Sequence, residues 1–211
     1  MAILIVTLHA HPFTGISKVV DYALSYGLTR VAVPFFFIAS GFFMFRKMTE
    51  SNTDWHTIKK YVKRIFRIYC VWTLIYMPII IWTSFLNDNQ GIAQELIILV
   101  RNFFMTASYS QLWFLPALIV AILCVGYLLS RKWTINSILI LSGILYIIGL
   151  FGQSYYGLFV FFFPEGSLGH ECVKFASKIF VTTRNGLCFG FVYVAIGAYI
   201  SFSKIEINIK K

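Results

Sequence analysis

The chain has 211 residues, of which 59% are hydrophobic and 12% charged, and it carries a formal net charge of +10. A soluble domain of this length holds about twice that charged fraction. The mean hydropathy of +0.78 therefore excludes an ordinary soluble fold, and the positive charge is not a nucleic-acid footprint but a signal of membrane topology.

Residues 1–9, MAILIVTLH, are apolar but make only half a helix. About 20 residues are needed to cross a bilayer. A basic leader and a small-residue cleavage site are both missing, so this is not a signal peptide. The expectation is a first helix that extends upstream of Met1. Its outer end carries His9 and His11, and His11 falls in the loop because Pro12 follows it.

The next apolar window, 28–46, begins beside Arg30 and is the first full span. A basic stretch, HTIKKYVKRIFRIY, follows it. There Lys59, Lys60, Lys63, Arg64 and Arg67 alternate with Ile58, Tyr61, Val62, Ile65 and Phe66 at helical spacing. That pattern suits an amphipathic helix on an anionic inner leaflet; a generic basic anchor, or a surface for an acidic donor, would look the same. A second span covers 68–87. Residues 92–107 carry Glu95 and Arg101 and read as an interfacial or partly buried helix. The windows 111–130 and 134–152 are the third and fourth spans. Residues 153–183 form an outer segment with a turn at Pro164–Gly166, and 185–203 is the last span.

The sequence thus predicts an all-α, polytopic transmembrane helical bundle of five full spans plus a partial first span, in one membrane domain over residues 1–211. Cys70, Cys124, Cys172 and Cys188 form no CxxC pair and read as small buried thiols.

Lys and Arg collect on the cytoplasmic side. The loops at 46–67 and 131–132 and the tail after 203 hold twelve of them, against six on the other side. The amino terminus is therefore cytoplasmic in a multi-pass membrane protein. The outer side gathers His9, Arg30, Trp113, Arg184 and Asn185 at helix ends. Ionisable groups in such places are functional candidates. Arg30 and Arg184 could also snorkel to headgroups, and Trp113 could belong to an aromatic belt. A histidine can take a proton from a hydroxyl near neutral pH. A hydroxyl attacking an acyl thioester needs such a base, and donors for the oxyanion; His9 could supply the first, and Arg30, Arg184 or Asn185 the second. No HExxH motif, GxSxG elbow or P-loop is present, and no metal site or permanently bound cofactor is expected.

The stretches RVAVPFFFIASGFF (30–43), LWFLPALIVA (112–121) and TRNGLCFGFVYVAIGAYI (183–200) resemble, in order, the second-helix, fourth-helix and later "RNG" motifs of the acyltransferase-3 family of bacterial membrane proteins. LIVTLHAH resembles the end of the family's first helix. Within the family, ILYIIGLFGQSYYGL and TTRNG are most similar to the membrane domain of membrane-bound serine racemases of vancomycin-resistant bacteria. The resemblance implies a helical bundle of about ten spans. It also implies transfer of an acyl group, usually acetyl, from acyl-CoA to an extracytoplasmic hydroxyl on a glycan, lipid or peptidoglycan-related acceptor. On the same basis His9 is the catalytic residue. In racemase-type members the membrane domain implies passage of serine instead, with the chemistry in a separate pyridoxal-phosphate domain. The chain departs from the family pattern in two ways: the basic residue expected about eleven positions before His9 would precede Met1, and the family's last spans do not follow Lys211. The expectation is a chain short at both ends, with a non-catalytic remnant as a further alternative.

Overall fold

The computed structural model describes residues 31–49, 52–82, 92–151 and 185–203, together with a few single positions. Among these residues there are six α-helices and no β-strand. They are α1 (Ala32–Phe45), α2 (Trp55–Ile81), α3 (Ile92–Met105), α4 (Phe114–Ser130), α5 (Ile135–Phe151) and α6 (Phe191–Phe202). A 3₁₀ turn, Ser110–Leu112, leads into α4, and a π turn, Gly186–Gly190, leads into α6.

Local chemistry explains the ends. Pro34 and Pro116 each occupy the third position of their helix, α1 and α4, where a backbone N–H has no intrahelical partner to lose. Asp54 caps α2: its carboxylate accepts from the backbone N–H of His56 (2.9 Å) and Thr57 (3.3 Å), and from the Thr57 hydroxyl. Helix α4 ends in a Schellman motif. The Trp133 N–H donates to the Leu128 carbonyl, and the Lys132 N–H to that of Leu129. Lys132 takes the left-handed conformation this requires, at φ 61°. Thr134 then caps α5, with its hydroxyl accepting from the Ser137 N–H.

Packing fixes the helix directions. Phe37 meets Phe189 at one end of the α1–α6 contact, and Phe45 meets Phe202 at the other, so α1 and α6 are parallel. Trp113 lies against Phe189, while Gly186 and Gly190 press on Ala117 and Ala121; α4 points the same way. Helix α2 is antiparallel to α4, since Ile58 sits against Gly126 while Tyr69 clusters with Leu112. Helix α5 is antiparallel to α6, through Tyr146 with Tyr193 and Gly149 with Cys188. Arg46, Lys59 and Arg131 consequently share one end of the bundle.

The core runs between α1, α4 and α6, with Phe37, Phe45, Ala121, Ile122, Val125, Val194 and Ala198 buried. The α1–α6 seam is the closest. Gly41 faces the Val194 carbonyl and Gly197 faces the Ile38 carbonyl, an approach that only small residues permit. Outer faces are apolar as well: Leu74, Ile97 and Ile140 are all about two-thirds exposed (66%, 69% and 66%). A helix apolar all round is suited to lipid or to a large interior.

Trp55–Ile81 and Ser110–Ser130 are long and apolar enough to cross a membrane; Ala32–Phe45, Ile135–Phe151 and Gly186–Phe202 are shorter apolar helices. One expectation changes. The basic stretch after Asp54 is not a separate surface helix but the first half of α2, which runs unbroken for 27 residues. No Gly or Pro stands between His56 and Met77, and extending a helix costs far less than starting a new one. Cys70, Cys124 and Cys188 are free and half-buried rather than fully buried. The predicted segment 92–107 is helical over Ile92–Met105, and Gly166 of the predicted turn has φ +89°.

Candidate functional site

The site residues named from sequence divide into two groups. His9, Arg30 and Arg184 lie outside the described residues. Trp113 and Asn185 are described, and they stand at the same end of the bundle, opposite the basic end.

Asn185 is buried, at 8% exposure. Its side-chain carbonyl accepts from the backbone N–H of Leu187 (3.0 Å) and Cys188 (2.8 Å). Its backbone carbonyl accepts from Phe189 (3.1 Å) and Gly190 (3.0 Å), which creates the π turn. This residue therefore fixes how the chain enters α6 immediately after Arg184. A Cβ on the next residue, Gly186, would lie 2.6 Å from the Ala117 carbonyl oxygen, so the turn presses directly on α4.

Trp113 is half-buried at the start of α4. Its ring lies 6.3 Å from Phe37 and 5.7 Å from Phe189. Phe37 also tilts against Phe114 at 4.6 Å. Phe189 continues the cluster to Tyr193 (5.0 Å) and Tyr146 (6.1 Å). Trp113 thus belongs to an aromatic wall shared by α1, α4, α5 and α6, built from ring pairs at favourable separations.

Two polar features escaped the sequence reading. The Tyr193 hydroxyl donates to that of Tyr146 at 3.1 Å, inside the bundle and against the aromatic wall. Tyr69 joins α2 to the segment after α3: its hydroxyl donates to the Phe103 carbonyl (2.8 Å) and accepts from the Ser108 N–H (3.0 Å). Nearby, the hydroxyls of Thr73 and Ser108 are bonded at 2.7 Å. Tyrosines in uncharged windows give no charge signal, and only their hydroxyls, polar groups that need partners when buried, hint at these pairings.

Electrostatically the site end is distinctive. The parallel helices α1, α4 and α6 all present their N-termini there. Each contributes a partial positive charge from aligned peptide dipoles. Antiparallel α5 brings its C-terminus to the same end, near Cys188, so its dipole offsets part of that charge.

Comparison with known proteins places the chain. Residues 1–211 match an acyltransferase domain, Acyl_transf_3. Two relatives are a protein of Enterococcus faecalis named amino-acid racemase, 32% identical over 96% of this chain, and one of Enterococcus gallinarum named serine/alanine racemase, 26% identical over 94%. The chain spans about a quarter of the length of these relatives, 27% of each. No solved structure matches it. With the domain matched from first residue to last, this chain belongs to the acyltransferase-3 family of membrane proteins.

Proposed function

We propose that the chain is the membrane part of an O-acyltransferase. It would move an acyl group, in the first instance acetyl, from cytoplasmic acyl-CoA to a hydroxyl of an extracytoplasmic glycan, lipid or peptidoglycan-related acceptor. The match to an acyltransferase domain over residues 1–211 carries this reading. The alternating helix directions support a five-crossing arrangement. With Arg46, Lys59 and Arg131 at one end, the positive-inside rule puts that end in the cytoplasm, the site end outside, and the amino terminus in the cytoplasm of a bacterial plasma-membrane protein.

In this mechanism the His9 imidazole takes the proton of the acceptor hydroxyl as its oxygen attacks the thioester carbonyl. A C–O bond forms and the carbonyl oxygen becomes an oxyanion. Arg30 and Arg184 stabilise that charge, aided by the helix N-termini. Collapse breaks the C–S bond, and the departing thiolate takes the proton from the imidazolium. Trp113 offers an aromatic face to the acceptor. Asn185 acts as a positioning residue, because its side-chain carbonyl holds the turn that follows Arg184. Acyl-CoA is consumed as a substrate rather than held as a cofactor.

The test is acetyl transfer from labelled acetyl-CoA to cell-envelope material in membranes containing the protein. His9→Ala is expected to lower labelling by at least ~10²-fold, the usual contribution of a general base. Unchanged labelling would remove His9 from the mechanism.

A second reading, a membrane domain that passes serine, fits the racemase names of the two relatives only weakly. It predicts serine uptake by vesicles lacking acetyl-CoA, and uptake equal to that of empty vesicles would reject it.

A further inference from the structure

The hydroxyl pair between α5 and α6 has a proton to spare. The Tyr193 O–H donates to the Tyr146 oxygen at 3.1 Å. Two hydroxyls bring two protons, and one bond uses one of them. Among the described residues, no acceptor takes the Tyr146 O–H. A hydroxyl drawn into an apolar interior needs a partner, so this donor is left for water or for the oxygen of a ligand.

Tyr146 faces away from the apolar outer stripe of α5. That stripe holds the exposed Ile140, Ile144, Ile147 and Ile148, at the spacing of one helix face. Tyr146 instead shares a face with Ser142, four residues before it, and Gly149, three after it. Both of these are buried, yet Tyr146 is only half-buried. An inward-facing side chain that keeps accessible surface borders open space inside the bundle. The Tyr146 ring lies 6.1 Å from Phe189, which joins it to Trp113 and Phe37. Donation from Tyr193 polarises the Tyr146 hydroxyl and strengthens it as a donor. The pair also stands at an intermediate level: Tyr193 is nine residues before Phe202, the last of α6, about 14 Å from the basic end at ~1.5 Å per residue.

We propose that Tyr146 is a further catalytic residue of the transferase reading, on which this inference rests: its hydroxyl donates to the acyl carbonyl oxygen of the bound thioester. One strengthened donor beside aromatic rings fits a carbonyl oxygen that carries a small apolar acyl group. The intermediate level is where a donor reaching in from the basic end meets an acceptor from the site end. As the acceptor oxygen bonds to the carbonyl carbon, the carbonyl electron pair moves onto the oxygen, and the Tyr146 hydrogen bond strengthens on the oxyanion. The C–S electrons then leave with the thiolate, which receives the acceptor's proton by way of His9. Tyr146 keeps its own proton throughout.

The test uses the purified chain and acetyl-CoA labelled at the carbonyl carbon, without acceptor, read by isotope-edited infrared spectroscopy. The bound carbonyl stretch should lie below that of free acetyl-CoA and return toward it in Tyr146→Phe. Transfer to cell-envelope material should fall by at least ~10²-fold in Tyr146→Phe, the usual loss of one oxyanion donor. Tyr193→Phe removes only the polarisation, and should cost about three-fold with a smaller change of the stretch. Both substitutions keep the ring, and both variants should still retain acetyl-CoA. A purely structural pair loses the same stability in either single variant and in the double, with the carbonyl stretch unmoved, and that result overturns the assignment. Undiminished transfer by Tyr146→Phe overturns it too and leaves the transferase reading intact. A lowered stretch that reverts in Tyr146→Phe, without transfer to envelope material, upholds Tyr146 as the carbonyl donor and removes the transferase reading. Failure of the chain to retain acetyl-CoA overturns both.

Discussion

Replacing Gly197 with alanine puts a Cβ 2.1 Å from the Ile38 carbonyl oxygen and 2.7 Å from the Phe42 nitrogen. Both atoms are backbone of α1, so no side chain can rotate out of the way. Relief requires α1 and α6 to move apart by about 1 Å, and a gap of 0.5–1 Å already forfeits a quarter to a half of each dispersion contact along the seam. Overpacking of this kind costs about 1–3 kcal/mol, and a clash with rigid backbone belongs at the top of that range. The better helix propensity of alanine returns up to ~1 kcal/mol, leaving a net loss of about 2 kcal/mol. Gly143→Ala supplies the control, because a Cβ there meets nothing within 4 Å; only the propensity gain applies. Denaturation of the two variants in mixed micelles, followed by tryptophan fluorescence, should separate them by about 3 kcal/mol. The Gly41→Ala change meets the Val194 carbonyl at 2.4 Å across the same seam, so the pair should cost less than the sum of the singles, since one separation relieves both clashes. If Gly197→Ala proves as stable as Gly143→Ala, the close approach of α1 and α6 is wrong.

Three further outcomes follow from the geometry. Lys132→Gly should raise the melting temperature, contributing about 0.5–1 kcal/mol by removing a side chain from the left-handed position that ends α4; a lower melting temperature would contradict the Schellman assignment. Tyr69→Phe leaves the Ser108 N–H and the Phe103 carbonyl without their hydroxyl partner, a loss of about 1–3 kcal/mol, and hydrogen exchange should rise first in α3 and the segment after it. The hydroxyl and N–H of Thr57, and then the N–H of His56, hold the Asp54 carboxyl below its ordinary value of 3.8. A carboxyl depressed on folding stabilises above its unfolded pKa, and that contribution is lost as pH falls through the folded value. The backbone amide shift of Thr57 should therefore move in acid, with its midpoint below 3.8, and a Thr57 shift that does not follow the Asp54 carboxyl would rule out the cap.

The helices were legible where charge is absent. The uncharged windows at 111–130 and 134–152 fall within a residue or so of Ser110–Ser130 and Ile135–Phe151, because a span must exclude charge along its whole length. The same criterion hid the first half of α2. Its cations look like a surface, yet Ile58, Ile65, Tyr69, Thr73 and Ile80 are buried along one continuous face. Sequence position puts Trp113 and Asn185 at helix ends, and the structure sets both at one end of the bundle. The role of Asn185 was also legible, since asparagine before a helix is a favoured N-cap; its hydrogen-bonding capacity toward a substrate drew attention first. The Tyr146–Tyr193 pair was not legible at all. Two hydroxyls 47 positions apart meet only through the antiparallel packing of α5 on α6, which no local pattern encodes.

The directions of the helices give the two ends of the bundle different electrostatic characters. Helices α1, α4 and α6 are parallel, so their C-termini gather at one end, where the N-termini of antiparallel α2 and α5 offset part of their negative charge. Arg46 there stacks over Phe42 and Phe43 at 5.9 Å, and Arg131 lies 5.3 Å over Tyr127 while donating to its hydroxyl at 3.2 Å. The cations that mark the topology thus also compensate the dipoles, and their apolar stems and flat heads are held on aromatic rings. The opposite end holds the N-termini of α1, α4 and α6 beside the C-terminus of α5, which offsets part of their positive charge. Proline in the first turns of α1 and α4 and the Asn185 cap before α6 settle those ends without adding a full negative charge. The aromatic wall of Phe37, Trp113 and Phe189 stands at that end, and under the proposed transferase reading an oxyanion would form beside it.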